Sequence, residues 1–254
     1  MKKNYKPKAI LFDAGGVLID VKPRQEGFLD VARIVNAFLI RTSGTCLGEK
    51  RILIDLEAAA AAYSSWKFAQ SRRARPREIT HREFWEDFVA SDWPVEAQRA
   101  VAAHASDLCW KYDEATMKCA PMEGALTVLK TIKTAGLKIG TISNSLVGSL
   151  TRSYICEYGF ADYIDIQLYS DEVGLRKPNP EIIFRAAISL CMNLQKIWYL
   201  GDRLDRDVLA GRRAGVGKVI LMSNTYQEDG PMIAAQADEI ITKLTDLLAM
   251  LPSL

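Results

Sequence analysis

Six short apolar runs, each ending in turn residues, constrain the fold of this chain more than any other feature. They are KAILFD (8–13), LKIGTIS (137–143), IDIQLYS (164–170), KIWYLGD (196–202), KVILMS (218–223) and DEIIT (238–242). Runs so short and so apolar suit strands of a parallel sheet buried on both faces. Between them lie segments of helical period, such as EGALTVLKTIKTAG, with Gly136 placed as a C-terminal cap, and DVLAGRRAG, which closes at Gly215. Strand–helix alternation predicts an α/β fold, a parallel sheet with helices on both faces.

The interval 22–118 breaks this rhythm. It has almost no strand signal and reads as helices: one through FLDVARIVNAFLI, one through RILIDLEAAAAAYSSWKFAQ, one starting at the capping box Thr80–Glu83, and a fourth over about 95–112. The expected organisation is a Rossmann-like sheet core, 1–21 and 119–254, with an α-helical cap, 22–118, inserted after the first strand. Hinges are expected near 21–23 and 119–123, where the chain leaves and rejoins the core.

Composition narrows the function classes. A net charge of +2 gives no global reason to expect nucleic acid or an anionic membrane as partner. The basic stretch SRRARPR (71–77) is too short and isolated to change that. Five single cysteines, Cys46, Cys109, Cys119, Cys156 and Cys191, form no CxxC, which fits a reducing cytosol better than a disulfide framework or zinc site. The apolar run behind the basic N-terminus MKKNYKPK is too short for a signal peptide, and no apolar stretch reaches membrane-spanning length. A cytoplasmic location is expected.

In open parallel sheets, ligands bind beyond the carboxyl ends of the strands. The residues that end these strands belong together: Asp13, Ser143 with Asn144, and Asp202, joined by Lys177 from the proline-containing loop VGLRKPNPEIIF. Taken singly, each has an ordinary reading. Asp13 would be a turn cap, Lys177 a solvated loop lysine, Ser143-Asn144 turn chemistry, and Asp207 a cap for the helix beginning at Val208. Together they offer carboxylates, a hydroxyl, an amide and a cation. Converging carboxylates repel unless a divalent cation sits between them, and an oxygen-rich site suits Mg2+. A lysine and a hydroxyl nearby would hold phosphate oxygens, and a carboxylate can attack phosphorus.

The segments FDAGGVL (12–18), ISNS (142–145), GLRKPNPEIIF (174–184) and GDRLDRDVLAGRRAG (201–215) resemble the four motifs of the haloacid dehalogenase superfamily, in family order. The helical interval then corresponds to that family's C1 cap. The resemblance implies Asp13 as nucleophile and metal ligand, the backbone carbonyl of Gly15 as a further ligand, and Ser143 and Lys177 as phosphoryl-binding and catalytic groups. It implies Asn144 in the same pocket, Asp202 as a metal ligand, and Asp207 assisting directly or through water. The expected cofactor is Mg2+ and the expected partner a small phosphorylated metabolite.

One position departs from the pattern. Most phosphatases of this family carry a second aspartate two residues after the nucleophile, which protonates the leaving group; here stands Gly15. Loss of a general acid costs about 10²–10⁴-fold in rate. The favoured reading remains a phosphatase, one whose leaving group needs little protonation or whose proton comes from another side chain such as Asp20. The FD-x-GGVL form resembles sugar-1-phosphate phosphatases and the N-terminal phosphatase-like domains of epoxide hydrolases. A second reading is a phosphate- and Mg2+-binding regulatory or interaction protein with little turnover. A third is a 2-haloacid dehalogenase, disfavoured by the Asp202/Asp207 pair and by the lack of that subgroup's aromatic residue at position 15. In the helical interval, Arg72, Arg73, Arg75 and Arg77 read as a solvated helix end. Trp66 and Trp85 read as core residues and His81 as part of a helix's first turn, so none is assigned to the site.

Overall fold

The computed structural model describes residues 6–223 and 237–251; the first five residues of the basic N-terminal run lie outside them. Among the described residues there are eight strands: β1 Ala9–Phe12, β2 Ile19–Pro23, β3 Met117–Pro121, β4 Lys138–Ser143, β5 Ile166–Tyr169, β6 Ile197–Gly201, β7 Lys218–Met222 and β8 Glu239–Ile241. Six of them, one from each expected run, form an entirely parallel sheet in the order β5-β4-β1-β6-β7-β8. The fold is α/β, as the alternation predicts.

Side-chain alternation fills both faces of the sheet. Ile10 and Phe12 of β1, Trp198 and Leu200 of β6, and Ile220 and Met222 of β7 pack on one face with Val128, Leu129 and Ile132 of the helix Ala125–Thr134. Ala9, Leu11, Ile197, Tyr199, Val219 and Leu221 pack on the other, with Ile182, Ile183 and Ala186 of the helix Glu181–Ser189. The turn after Ala125–Thr134 passes through Gly136 at φ 74°, and Gly215 follows the helix Leu209–Ala214 at φ 73°.

The pair β2 and β3 forms a separate two-stranded sheet that the sequence does not announce. Most of its residues are exposed, so neither an apolar run nor an alternating pattern marks it.

The chain divides into two compact units. One holds the segment up to Asp20, Ser71–Glu78, and the chain from Cys119 onward; the other holds Val21–Gln70 and Ile79–Lys118. The second unit is helical: Gly27–Ser43, Glu49–Ser71, His81–Glu83 continuing as a π-helical turn Phe84–Val89, Val95–Ala103 and Ala105–Thr116. The Thr80–Glu83 capping box is present in both directions. The expected fourth helix is two, divided at His104, whose ring meets Phe38 edge-on at 5.1 Å. Trp85 is fully buried in this unit, Trp66 stacks on Tyr63, and His81 Nδ1 lies 2.9 Å from Ser106 Oγ.

This division differs from the expected insert 22–118 by one residue at its start, Val21, and by Ser71–Glu78, which belongs with the sheet. The reason for the latter is a buried charge. Glu78 is 1% exposed at its side chain and pairs at 2.6 Å with Arg176, itself 2% exposed. Ser170 Oγ donates to the same Glu78 oxygen at 2.6 Å, and Glu78 N donates to Gly174 O at 3.3 Å. Arg213 Nη1 donates to Arg73 O at 2.9 Å and to Pro178 O at 3.2 Å. An ionised carboxylate is costly to bury without such a partner, and removing one member leaves the other uncompensated. Glu78→Ala is expected to lower the unfolding free energy by about 3–5 kcal/mol, the scale for breaking a buried ion pair. The double replacement Glu78→Leu with Arg176→Met should lose much less. Urea denaturation of the three proteins checks this, and a double variant that loses as much as Glu78→Ala would count against it.

Candidate active site

Parallel register brings the strand ends level. Phe12 pairs with Thr141 of β4 and with Leu200 of β6, so Asp13, Ser143 and Asp202 emerge at one edge of the sheet. Asp13 is 3% exposed; its own amide donates to Leu200 O at 2.9 Å, and the Ala14 amide donates to Asp13 Oδ1 at 2.8 Å. The following turn closes with Gly16 N donating to Ile19 O at 2.8 Å. Gly16 has φ +77°, and a Cβ there would fall on the Asp202 carboxylate, so glycine is what lets this turn approach Asp202. In the same way a Cβ on Gly201 would fall on the Asp207 side chain.

Lys177 is wholly buried at the centre. Its Nζ lies 3.0 Å from Asp13 Oδ1 and 2.6 Å from Asp207 Oδ1, and donates to Ile142 O at 2.9 Å. Three acceptors match the three protons of an ammonium, so its charge is fixed between two carboxylates. Asn144 holds the lysine's backbone on both sides: Lys177 N donates to its Oδ1 at 2.7 Å, and its Nδ2 donates to Lys177 O at 3.0 Å. Ser143 is buried at the end of β4.

Asp207 is not a helix cap. It lies within the π-helical turn Leu204–Val208, fully buried, and accepts from Tyr199 Oη at 3.0 Å and from Arg203 N at 3.1 Å besides Lys177. Asp202 contrasts with it. Its Oδ1 is buried without a hydrogen-bond donor, and Arg206 Nη2 stands 3.9 Å away. Asp13, Asp202 and Asp207 each offer an oxygen, all within 4.8 Å of one another; they are the one such group among the described residues.

The electrostatics follow from this crowding. Burial, reinforced by Asp207, pushes the Asp13 carboxyl above its ordinary range despite Lys177. Burial opposes ionisation of Asp207 as well, but Lys177, Arg206 and the Tyr199 hydroxyl outweigh it and hold Asp207 at about 2. Burial also pushes Asp202 up to about 7, with Asp207 and Asp13 adding repulsion that Arg206 only partly offsets. An oxygen-only cluster with one carboxylate oxygen lacking a donor, and two carboxyls reluctant to ionise, fits a hard divalent cation.

Of the residues that sequence reasoning reached, Asp13, Asn144, Lys177, Asp202 and Asp207 lie in one cluster, Ser143 ends β4, and Gly15 lies in the turn after Asp13, bridged to Ile19. The same reasoning missed Tyr199, which reads as an ordinary inward residue of β6. It also missed Arg206, which the GD-x4-D pattern passes over, and the pair Glu78–Arg176.

Asp202 sets a pH dependence. Its carboxyl ordinarily ionises near 3.8. Between about pH 4 and pH 7 the folded protein keeps a proton that the unfolded chain has released, so stability falls as pH rises through that window. In chelator-containing buffer, urea unfolding is expected to show this decline in the wild type and a shallower one in Asp202→Asn. Equal slopes would remove Asp202 as its source.

Comparison with known proteins adds the family. A model of haloacid dehalogenase-like hydrolases matches residues 7–215. The glyceraldehyde 3-phosphate phosphatase of Methanopyrus kandleri is 30% identical over 111 residues, 44% of this chain and 47% of that protein. The chain thus spans about half the length of that relative. The N-acetylmuramic acid 6-phosphate phosphatase of Pseudomonas aeruginosa is 25% identical over 230 residues, 90% of this chain and 88% of that protein. Among solved structures, a 2-haloacid dehalogenase from Pseudomonas syringae pv. tomato aligns with TM-score 0.62 at 18% identity, covering 96% of this chain and 98% of that one. A HAD phosphatase from Thermococcus onnurineus aligns with TM-score 0.59 at 19% identity, covering 96% and 97%. At these identities the solved structures show the fold alone.

Proposed function

The chain belongs to the haloacid dehalogenase-like hydrolases, and on that premise we propose that it is a Mg2+-dependent phosphatase of small phosphorylated metabolites, sugar phosphates among them. The observation that carries this reading is the buried Lys177 ammonium shared between Asp13 and Asp207, with Asp202 completing the acidic group. Relatives named as phosphatases of glyceraldehyde 3-phosphate and N-acetylmuramic acid 6-phosphate support the substrate class. A dehalogenase would direct Asp13 at carbon beside a carboxylate substrate, which two further buried aspartates would repel.

In the proposed reaction an Asp13 carboxylate oxygen bonds to phosphorus, and the bond from phosphorus to the leaving oxygen breaks. Water then attacks phosphorus, releasing inorganic phosphate and restoring Asp13. Lys177 and the Ala14 amide both hold Oδ1, which fixes the carboxylate plane. Asn144 acts on Lys177 rather than on the substrate, since both ends of its amide are engaged by the lysine's backbone. Ser143 is assigned to a phosphoryl oxygen. Lys177 contributes chiefly by charge; a phosphoryl oxygen would replace one of its three acceptors. Asp13, Asp202 and the Gly15 carbonyl would hold Mg2+ directly, and Asp207, already accepting three hydrogen bonds, through water. The ion supplies charge neutralisation at the phosphoryl oxygens.

Gly15 has no proton to give, so leaving groups stable as anions, such as anomeric or acyl phosphates, fit this site best. Two experiments test the reading. With Mg2+, the wild type should release phosphate from a panel of sugar 1- and 6-phosphates, glyceraldehyde 3-phosphate and an aryl phosphate, and no halide from 2-haloacids. Asp13→Asn should lower kcat by about 10³-fold or more, the scale of losing a covalent nucleophile. Release from no ester, with Mg2+ affinity intact, would leave only a binding role. Gly15 is not among the glycines at positive φ. Gly15→Asp is expected to raise kcat on alkyl phosphates by about tenfold or more while leaving p-nitrophenyl phosphate little changed. An equal effect on both would mean that leaving-group protonation does not limit turnover.

A further inference from the structure

Arg206 is a cation inside the acidic group that none of the assigned roles uses. It lies four residues after Asp202 and one before Asp207, on the turn Leu204–Val208. Its Nη2 is 3.9 Å from Asp202 Oδ1 and its Nε 4.0 Å from Asp207 Oδ2, with 28% of its side chain exposed. Neither distance is a hydrogen bond, and both Arg206 Nε and Asp202 Oδ1 are buried without a hydrogen-bond partner. The neighbouring arginine is differently engaged: Arg203 Nε faces Asp205 Oδ1 at 3.4 Å. The guanidinium therefore stands against the two carboxylates by charge, without the fork–fork bonding that an arginine usually makes with an acid.

Its effect appears in the formal charge. With all three carboxyls ionised, as a bound cation would require, Asp13, Asp202 and Asp207 against Lys177 and Arg206 sum to −1; a divalent cation would take the group to +1, and a phosphoryl dianion would return it to −1. Without Arg206 the same three states would be −2, 0 and −2. We infer that Arg206 is a built-in cation that weakens divalent-metal binding to the free protein and favours the phosphoryl anion. This rests on the metal assignment of the preceding subsection. Charges about 4 Å apart in a partly buried site interact strongly enough for the effect to be measurable.

The test is calorimetric titration with MgCl2 alone, and separately with inorganic phosphate, of the wild type, Arg206→Gln, Arg206→Lys and Asp202→Asn. Arg206→Gln should bind Mg2+ about tenfold more tightly than the wild type and phosphate more weakly, while Arg206→Lys, which keeps the charge, stays near the wild type. Unchanged or weaker Mg2+ binding by Arg206→Gln overturns the inference. So does a Gln variant that stays unfolded at every Mg2+ concentration, whereas one that folds only on adding Mg2+ supports it, because the uncompensated acids then require the ion. Asp202→Asn separates the two proposals: if it binds Mg2+ as the wild type does, the metal assignment fails. If its binding is lost but Arg206→Gln is no tighter, only the role of Arg206 fails.

Discussion

A lysine ammonium with no exposure to water has to be surrounded by acceptors, and the site is organised around that requirement at Lys177. Asp13 comes from the end of β1, Asp207 from the turn after β6, and the carbonyl of Ile142 from β4, so one cation ties together three neighbouring strands of the sheet. The same need explains details that have no meaning singly. Gly201 is bare so that Asp207 can lie against the strand end, and Asn144 grips the backbone of Lys177 so that Nζ reaches all three acceptors.

The residue before Lys177 repeats the theme with a different partner. Arg176 is buried as completely, and its acid is Glu78, carried by a segment that interrupts the helical unit in sequence. Two adjacent buried cations thus draw in carboxylates from separate parts of the chain. The loop 174–179 is held from the Glu78 side through Gly174, Arg176 and Asn179. Positioning of this kind suits a site whose proposed chemistry depends on fixed charge.

Much of this was legible in the order of residues. Short runs of five to seven residues could be read as strands because the central ones are buried on both faces and carry few polar positions, and each of the six runs contains one strand of the sheet. Asp13, Ser143 and Asp202 could be grouped because parallel strands end at one edge. The unread parts share a physical cause. The ribbon β2–β3 is exposed and carries no apolar signal, Tyr199 looks like any inward strand residue, and Glu78 sits beside four arginines in a stretch that reads as solvated. The sense of Asp207 was also hidden: its position suits a helix cap, and only the packed structure turns it toward Lys177 and Tyr199.

By itself, then, the sequence determined the α/β class, the six strands of the main sheet and which carboxylates could meet, because periodicity and strand-end placement are local properties of the chain. Tertiary structure alone decided where each buried charge found its counter-charge: Glu78 with Arg176, Lys177 between Asp13 and Asp207, and Arg206 near Asp202 without bonding it. Such pairings join residues as far apart as Glu78 and Arg176. Their strength depends on removal from water, which no short stretch of sequence specifies.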